Sequence, residues 1–134
     1  MQFFKFVDFT KPTKNLTVFE NLNTIFPSTQ RIYVLHSMDG NFLSGNHAHK
    51  KLEQIVLPIY GSFKISLDNG LQKVAIHLSS EAAKGVKIFA GVWRVLSEFS
   101  PNCVVLVLAS ENFDEDDYIR DYKQFLHWKD GNLT

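Results

Sequence analysis

Along most of this chain, apolar residues come in short runs separated by turn-forming residues, and in two of the runs they alternate with polar ones. Phe63, Ile65 and Leu67 fall on one face of an extended segment, and Val74, Ile76 and Leu78 on one face of the next, because strand side chains repeat every second residue. Asp68-Asn69-Gly70 lies between them, and Asn and Gly tolerate the positive φ that tight hairpin turns need. The pattern predicts a β-hairpin there. Further strands are predicted at Phe3–Asp8, Leu16–Glu20, Arg31–Ser37, Gln54–Tyr60, Val86–Phe89, Trp93–Glu98 and Cys103–Ser110. From Asp116 onward the period changes. Tyr118, Ile119, Tyr122, Phe125 and Leu126 form one stripe of a helix over about 116–127. The acids Asp114, Glu115, Asp116 and Asp117 precede that stripe, where negative charge suits a helix N-terminus, so capping and solvation are their expected roles. Strands followed by one terminal helix predict an all-β small barrel or jelly roll; an α/β fold would need helices between the strands.

Length and composition narrow the picture without changing it. The 134 residues fit one domain, 1–134, large enough for a real core, and 45% hydrophobic content with twelve Phe agrees. Fourteen basic residues balance fourteen acidic ones, so no global field draws the protein to nucleic acid or to an anionic membrane. No stretch approaches the roughly 20 apolar residues needed to cross a bilayer, and Met1-Gln2-Phe3-Phe4-Lys5-Phe6 lacks the parts of a signal peptide. The single Cys103 sits in an apolar run and is expected to be a buried, inert thiol. A cytoplasmic location is the resulting expectation.

Candidate chemistry gathers in Gly45-Asn46-His47-Ala48-His49-Lys50-Lys51-Leu52-Glu53-Gln54. In an extended segment His47 and His49 project to the same side, about 7 Å apart along the chain. Such a pair can bind a metal or carry protons. His36, His77 and His127 stand alone and are expected to be surface or satisfied core residues.

The spacing His47-x-His49-x-x-x-Glu53, then seven residues and Gly61, resembles the first motif of cupins, small β-barrels that often carry a metal. A second cupin motif normally adds a His from a later strand; the similar segment here, Gly85 to Arg94, has Arg94 in its place. A guanidinium stays protonated and is no ordinary metal ligand, so no metal and no cofactor are expected.

A more specific resemblance covers about Asp8 to Phe125. Arg31-Ile32-Tyr33, the His47-Ala48-His49-Lys50 segment, Gly61-Ser62, Leu67-Asp68-Asn69-Gly70, Val92-Trp93, Phe99-Ser100, Val107-Leu108-Ala109-Ser110 and Asp117-Tyr118-Ile119-Arg120-Asp121-Tyr122 look like the cupin-type TDP-4-keto-6-deoxyglucose 3,4-ketoisomerases. The resemblance implies a metal-independent homodimer acting on a thymidine diphosphate (TDP) sugar, on the way to deoxyamino sugars of bacterial surface polysaccharides such as lipopolysaccharide O-antigen, or of glycosylated natural products. It implies N-terminal strand exchange between subunits, which Phe3, Phe4 and Phe6 would serve if they are not ordinary core. It makes His49 the base at carbon, His47 the mover of protons between two oxygens, and Tyr33 a hydrogen-bonding partner. Arg31, Lys50, Ser44, Trp93 and Arg94 become candidates for holding substrate.

Three positions depart from the family pattern. Ser44-Gly45 stands where Arg-Gly is usual, Trp93-Arg94 where Trp-His is usual, and Pro12-Thr13-Lys14-Asn15-Leu16 where an Arg-Gly precedes the second strand. These departures leave room for a related nucleotide-sugar epimerase or tautomerase, or for a non-catalytic cupin that binds a sugar nucleotide. If Arg94 supplies the charge missing at Ser44, its side chain must point into the His47/His49 pocket.

Overall fold

The segment after Gly61 forms the predicted hairpin in a computed structural model of the protein, which describes residues 3–13 and 16–132. In chain order the strands are β1 (Phe4–Asp8), β2 (Thr10–Thr13), β3 (Leu16–Val18), β4 (Arg31–Leu35), β5 (Ser44–His49), β6 (Gln54–Tyr60), β7 (Ser62–Asp68), β8 (Lys73–Ser79), β9 (Lys84–Ile88), β10 (Trp93–Ser97), β11 (Val104–Ala109) and β12 (Tyr118–Ile119). Among the described residues the single α-helix, α1, spans Tyr122–Gly131. Strands β7 and β8 pair antiparallel with Leu67 opposite Val74, Ile65 opposite Ile76 and Phe63 opposite Leu78, so the two alternating sets meet on one face. Asn69–Gln72 closes the loop: Asp68 Oδ1 accepts from the Gly70 N–H, and Asn69 Oδ1 accepts from the N–H groups of Leu71 and Gln72. Asx side chains stand in for backbone acceptors in such turns.

Two five-stranded antiparallel sheets make the body, in the orders β1-β9-β6-β11-β4 and β12-β5-β10-β7-β8. Their facing sides enclose Phe63, Ile65, Leu67, Val56, Val86, Ile88, Leu96, Val105 and Val107, all buried. Full burial of each such side chain stabilises the fold by about 1.5–3 kcal/mol. Two faces remain outside this sandwich. The outer face of the first sheet carries Ile55, Leu57 and Leu108 and is capped by Phe9, Phe19, Leu22, Ile25 and Phe26. On the second sheet the outer face carries Ala48 and Trp93, and α1 covers it with Phe125.

The C-terminal segment departs from the sequence expectation. Residues Glu115–Asp117 form one 3₁₀ turn capped by the Asp114 carboxylate, Tyr118–Ile119 is a strand, and the α-helix begins only at Tyr122, capped by Asp121 Oδ1 accepting from the Gln124 N–H. The apolar stripe is real in its second half, but the backbone N–H groups of its first half do better in the ladder with β5, where Tyr118 lies opposite His49. Strand β5 and the short strands β2 and β12 were absent from the predicted set, because polar Ser44–His49 carries no alternating apolar signal. Cys103 is buried and free, as expected. The departure noted at residues 12–16 falls partly outside the described residues.

Candidate active site

Strand β5 reaches the site through a bulge. Arg94 of β10 lies opposite His47 but Val95 lies opposite Gly45, which leaves Asn46 as an extra residue. Gly45 has φ +93° and Asn46 φ +55°. A Cβ on Gly45 would stand 2.7 Å from the Arg94 carbonyl oxygen, so close backbone approach as well as dihedral angle demands glycine. The bulge aims the Gly45 carbonyl at His47, whose Nδ1–H donates to it over 3.0 Å. Beyond the bulge the strand alternates: Ala48 packs outward against Trp93, Ile119 and Phe125, while His47 and His49 turn inward.

The two imidazoles meet inside. His47 Nε2 and His49 Nε2 are 3.1 Å apart, and the rings stand edge to face with centroids 4.8 Å apart. Tyr118 packs on both rings. His49 is fully buried, and its Nδ1–H donates to Asp117 Oδ2 at 3.2 Å. The same carboxylate accepts from the backbone N–H groups of Lys51 and Leu52, which fixes its position. A carbonyl and a carboxylate can only accept, so each Nδ1 carries the proton and each Nε2 offers a lone pair to the same space. Burial, reinforced by the Arg94 guanidinium, lowers the pKa of His47 to about 4 and that of His49 to about 2. Both rings are therefore neutral bases at neutral pH.

Arg94 is 1% exposed and lies on the inward face. Its Nη1–H donates to Gln54 Oε1, and its Nε–H and Nη2–H donate to the Val92 carbonyl. Burial lowers its pKa to about 10, so it remains a cation at neutral pH. Gln54 in turn donates from Nε2 to the Tyr33 hydroxyl at 3.2 Å. Arg31 covers Tyr33, its guanidinium carbon 4.8 Å from the ring centroid, and reaches toward Phe113, which itself packs on Tyr118. One end of the interior is thus apolar core; the other is lined by His47, His49, Arg94, Gln54, Tyr33 and Arg31.

The structure brings five of the eight candidate residues together: His47, His49, Tyr33, Arg31 and Arg94. Three stand elsewhere. Trp93 projects from the opposite face of β10 and packs on Tyr122 and Phe125, because a strand's neighbours alternate and Arg94 takes the inner side. Lys50 is exposed and donates to the Asp116 carbonyl. Ser44 lies opposite Leu96, one inward position further from the imidazoles. Glu53 of the cupin-like spacing faces outward and pairs with Lys87 at 3.4 Å; the inward residue is its neighbour Gln54. Among the described residues no three His, Cys, Asp or Glu side chains gather to hold a metal. Sequence reasoning missed Asp117 and Gln54. The acidic run hid the first, and the only available signal for the second was the one-residue phase between Glu53 and the inward side of β6.

The family described as "FdtA: WxcM-like, C-terminal" matches residues 1–130. This chain belongs to that family. A curated member, the TDP-4-oxo-6-deoxy-alpha-D-glucose-3,4-oxoisomerase of Aneurinibacillus thermoaerophilus, is 42% identical over 106 residues, 79% of this chain and 75% of that protein. A histidine-to-asparagine variant of the 3,4-ketoisomerase QdtA from Thermoanaerobacterium thermosaccharolyticum, solved with TDP-4-keto-6-deoxyglucose, superposes with a TM-score of 0.89 at 31% identity, covering 99% of this chain and 98% of the other. A 3,4-ketoisomerase from Helicobacter canadensis gives 0.86 at 35% identity, covering 95% and 97% of the two chains. A dTDP-4-dehydrorhamnose 3,5-epimerase from Bacillus anthracis, 14% identical with a TM-score of 0.73, shares the barrel alone. The expected fold and family hold.

Proposed function

We propose that this FdtA-family protein is a 3,4-ketoisomerase that moves the carbonyl of a TDP-linked 4-keto-6-deoxy sugar from C4 to C3 through an enediol. The observation that carries this reading is the convergence of two neutral imidazole Nε2 atoms, 3.1 Å apart, in the lined end of the barrel. A C3 proton is acidified by the neighbouring C4 carbonyl. His49 Nε2 takes that proton; the C3–H electrons form the C3–C4 double bond, and the C4 oxygen becomes a hydroxyl. In the second half His47 takes the C3 hydroxyl proton and passes it to His49, which delivers it to C4, so the C3 ketone results with no net gain or loss of protons. The two Nε2 atoms lie within hydrogen-bond distance of each other, so the proton passes from His49 to His47 along that contact. His47 then exchanges it with the C3 and C4 oxygens. Asp117 holds His49 in the tautomer this requires and balances the transient imidazolium. Tyr33 donates to the oxygen on which charge develops, and Arg31 and Arg94 supply positive potential.

Incubation with TDP-4-keto-6-deoxyglucose in D₂O tests the reading. Deuterium entering the sugar ring with a 3-keto product supports it. Nucleotide binding that is unchanged in His49→Ala, with no turnover by the native protein, points instead to a binding module.

The enzyme acts as a homodimer in the cytoplasm, supplying 3-keto sugars that are later aminated for surface polysaccharides or glycosylated products. Ile32 and Val34, 60% and 47% exposed, leave an apolar patch on the outer face of β4 that a second subunit would cover. Among the described residues strand β1 forms the edge of its sheet and pairs only with β9, so a partner's β1 can occupy the same ladder. Phe6 lies opposite Val86, and a Phe6→Cys/Val86→Cys variant reads the connection directly. Oxidised dimers on a denaturing gel support exchange; oxidised monomers refute it. Among the described residues no helix is long and apolar enough to cross a membrane.

A further inference from the structure

We propose that Gln54 is a positioning residue whose side-chain amide makes the Tyr33 hydroxyl a hydrogen-bond donor toward the sugar. The proposal rests on the isomerase reading and assigns a part of that site which the histidines leave open.

A Gln amide has two faces, one that accepts and one that donates, and which way it points is decided by its strictest neighbour. Here that neighbour is Arg94, which can only donate. Its Nη1–H therefore fixes Gln54 Oε1 on the Arg94 side and turns Nε2 toward β4. Nε2–H then donates to the Tyr33 oxygen. Both groups lie at the inward end, with Gln54 and Arg94 buried. Because the Tyr33 oxygen already accepts from Gln54, its own proton must go to another acceptor, and among the described residues none takes it. Tyr33 lies on the inward side of β4, packed against the barrel core and within electrostatic reach of Arg94 and Tyr118, the residue that touches both imidazoles. Its remaining direction is into the space where a sugar oxygen would sit. Burial raises the phenol above its ordinary pKa, so the proton is present to be donated. The arrangement is a relay of orientation: a fixed cation orients an amide, and the amide orients a hydroxyl. A hydroxyl held ready in this way stabilises an enediolate oxygen without reorganising during the reaction.

Gln54→Glu inverts the relay while keeping its shape. A carboxylate accepts on both oxygens, so it retains the bond from Arg94 but takes the Tyr33 proton, leaving only lone pairs facing the sugar. The expected result is a fall in kcat of roughly 10²-fold with KM changed by less than about threefold, the size associated with losing one preorganised donor. Tyr33→Phe should lose the same factor, and the double variant no more than either single one. The loss should stay constant from pH 6 to 9. A loss that disappears with rising pH would mean the new carboxylate acts by raising the imidazole pKa values, and it overturns the proposal. Full kcat in Gln54→Glu also overturns it. Should Gln54→Glu fail to fold, Tyr33→Phe carries the test, and undiminished kcat there is equally decisive against it. A native protein that neither exchanges deuterium into the substrate nor forms the 3-keto sugar removes the isomerase reading, and this proposal with it; native turnover with insensitive variants removes the proposal alone.

Discussion

His49 donates through Nδ1 to Asp117, a residue 68 positions further along the chain, and the contact joins the His-x-His strand to the segment that leads into the terminal helix. The acidic run expected to serve only as cap and solvated surface thus divides its labour. Asp114 caps the 3₁₀ turn, Glu115 pairs with Arg120, and Asp117 alone turns inward to the imidazole.

Asp117→Asn should leave the fold in place and cut kcat by about 10²–10⁴-fold, because an amide can present N–H to His49 Nδ1 and select the wrong tautomer. Steady-state kinetics beside far-UV circular dichroism checks this. Native-like activity would reduce Asp117 to an anchor for the Lys51 and Leu52 amides.

The imidazole pKa values fix a pH profile. In the proposed mechanism His47 and His49 are the neutral bases, and they hold pKa values of about 4 and about 2, below the ordinary 6.5. On the acid side kcat/KM should therefore stay level from pH 7 down to about 5, without the fall near 6.5 that an exposed histidine gives. Stability has the opposite sensitivity. The unfolded chain takes up protons at these residues near pH 6.5 and the native chain does not, so stability should decline as pH falls from about 6.5 toward 4. Urea midpoints at pH 7 and pH 5 measure the decline, and it should shrink in a His47→Gln/His49→Gln variant.

Gly45→Ala should destabilise the protein by about 2 kcal/mol or more, since the new Cβ meets the Arg94 carbonyl and the residue must keep a positive φ. Thermal unfolding reads the loss. A variant as stable as the native protein would mean the bulge can relax.

Trp93→Phe should alter KM for the sugar nucleotide by less than twofold while lowering the unfolding midpoint, because Trp93 packs under α1 and away from the imidazoles. A tenfold rise in KM would place the ring at the substrate after all.

The alternating residues around Asp68-Asn69-Gly70, the buried Cys103 run and the inward pair His47 and His49 were all determined by local pattern, since a strand's period sends every second side chain the same way and a turn residue's φ preference needs no distant partner. Local pattern also made Tyr118–Ile119 look helical, and only pairing with β5 drew that dipeptide into a strand. Which polar groups completed the site lay beyond the sequence. Gln54 instead of Glu53, Asp117 among four acids, and Arg94 inward with Trp93 outward depend on the phase of each strand relative to a sheet built from residues far apart in sequence. Tertiary structure decided these because a side chain's face is a local property, whereas its partner is whatever the closed barrel brings opposite.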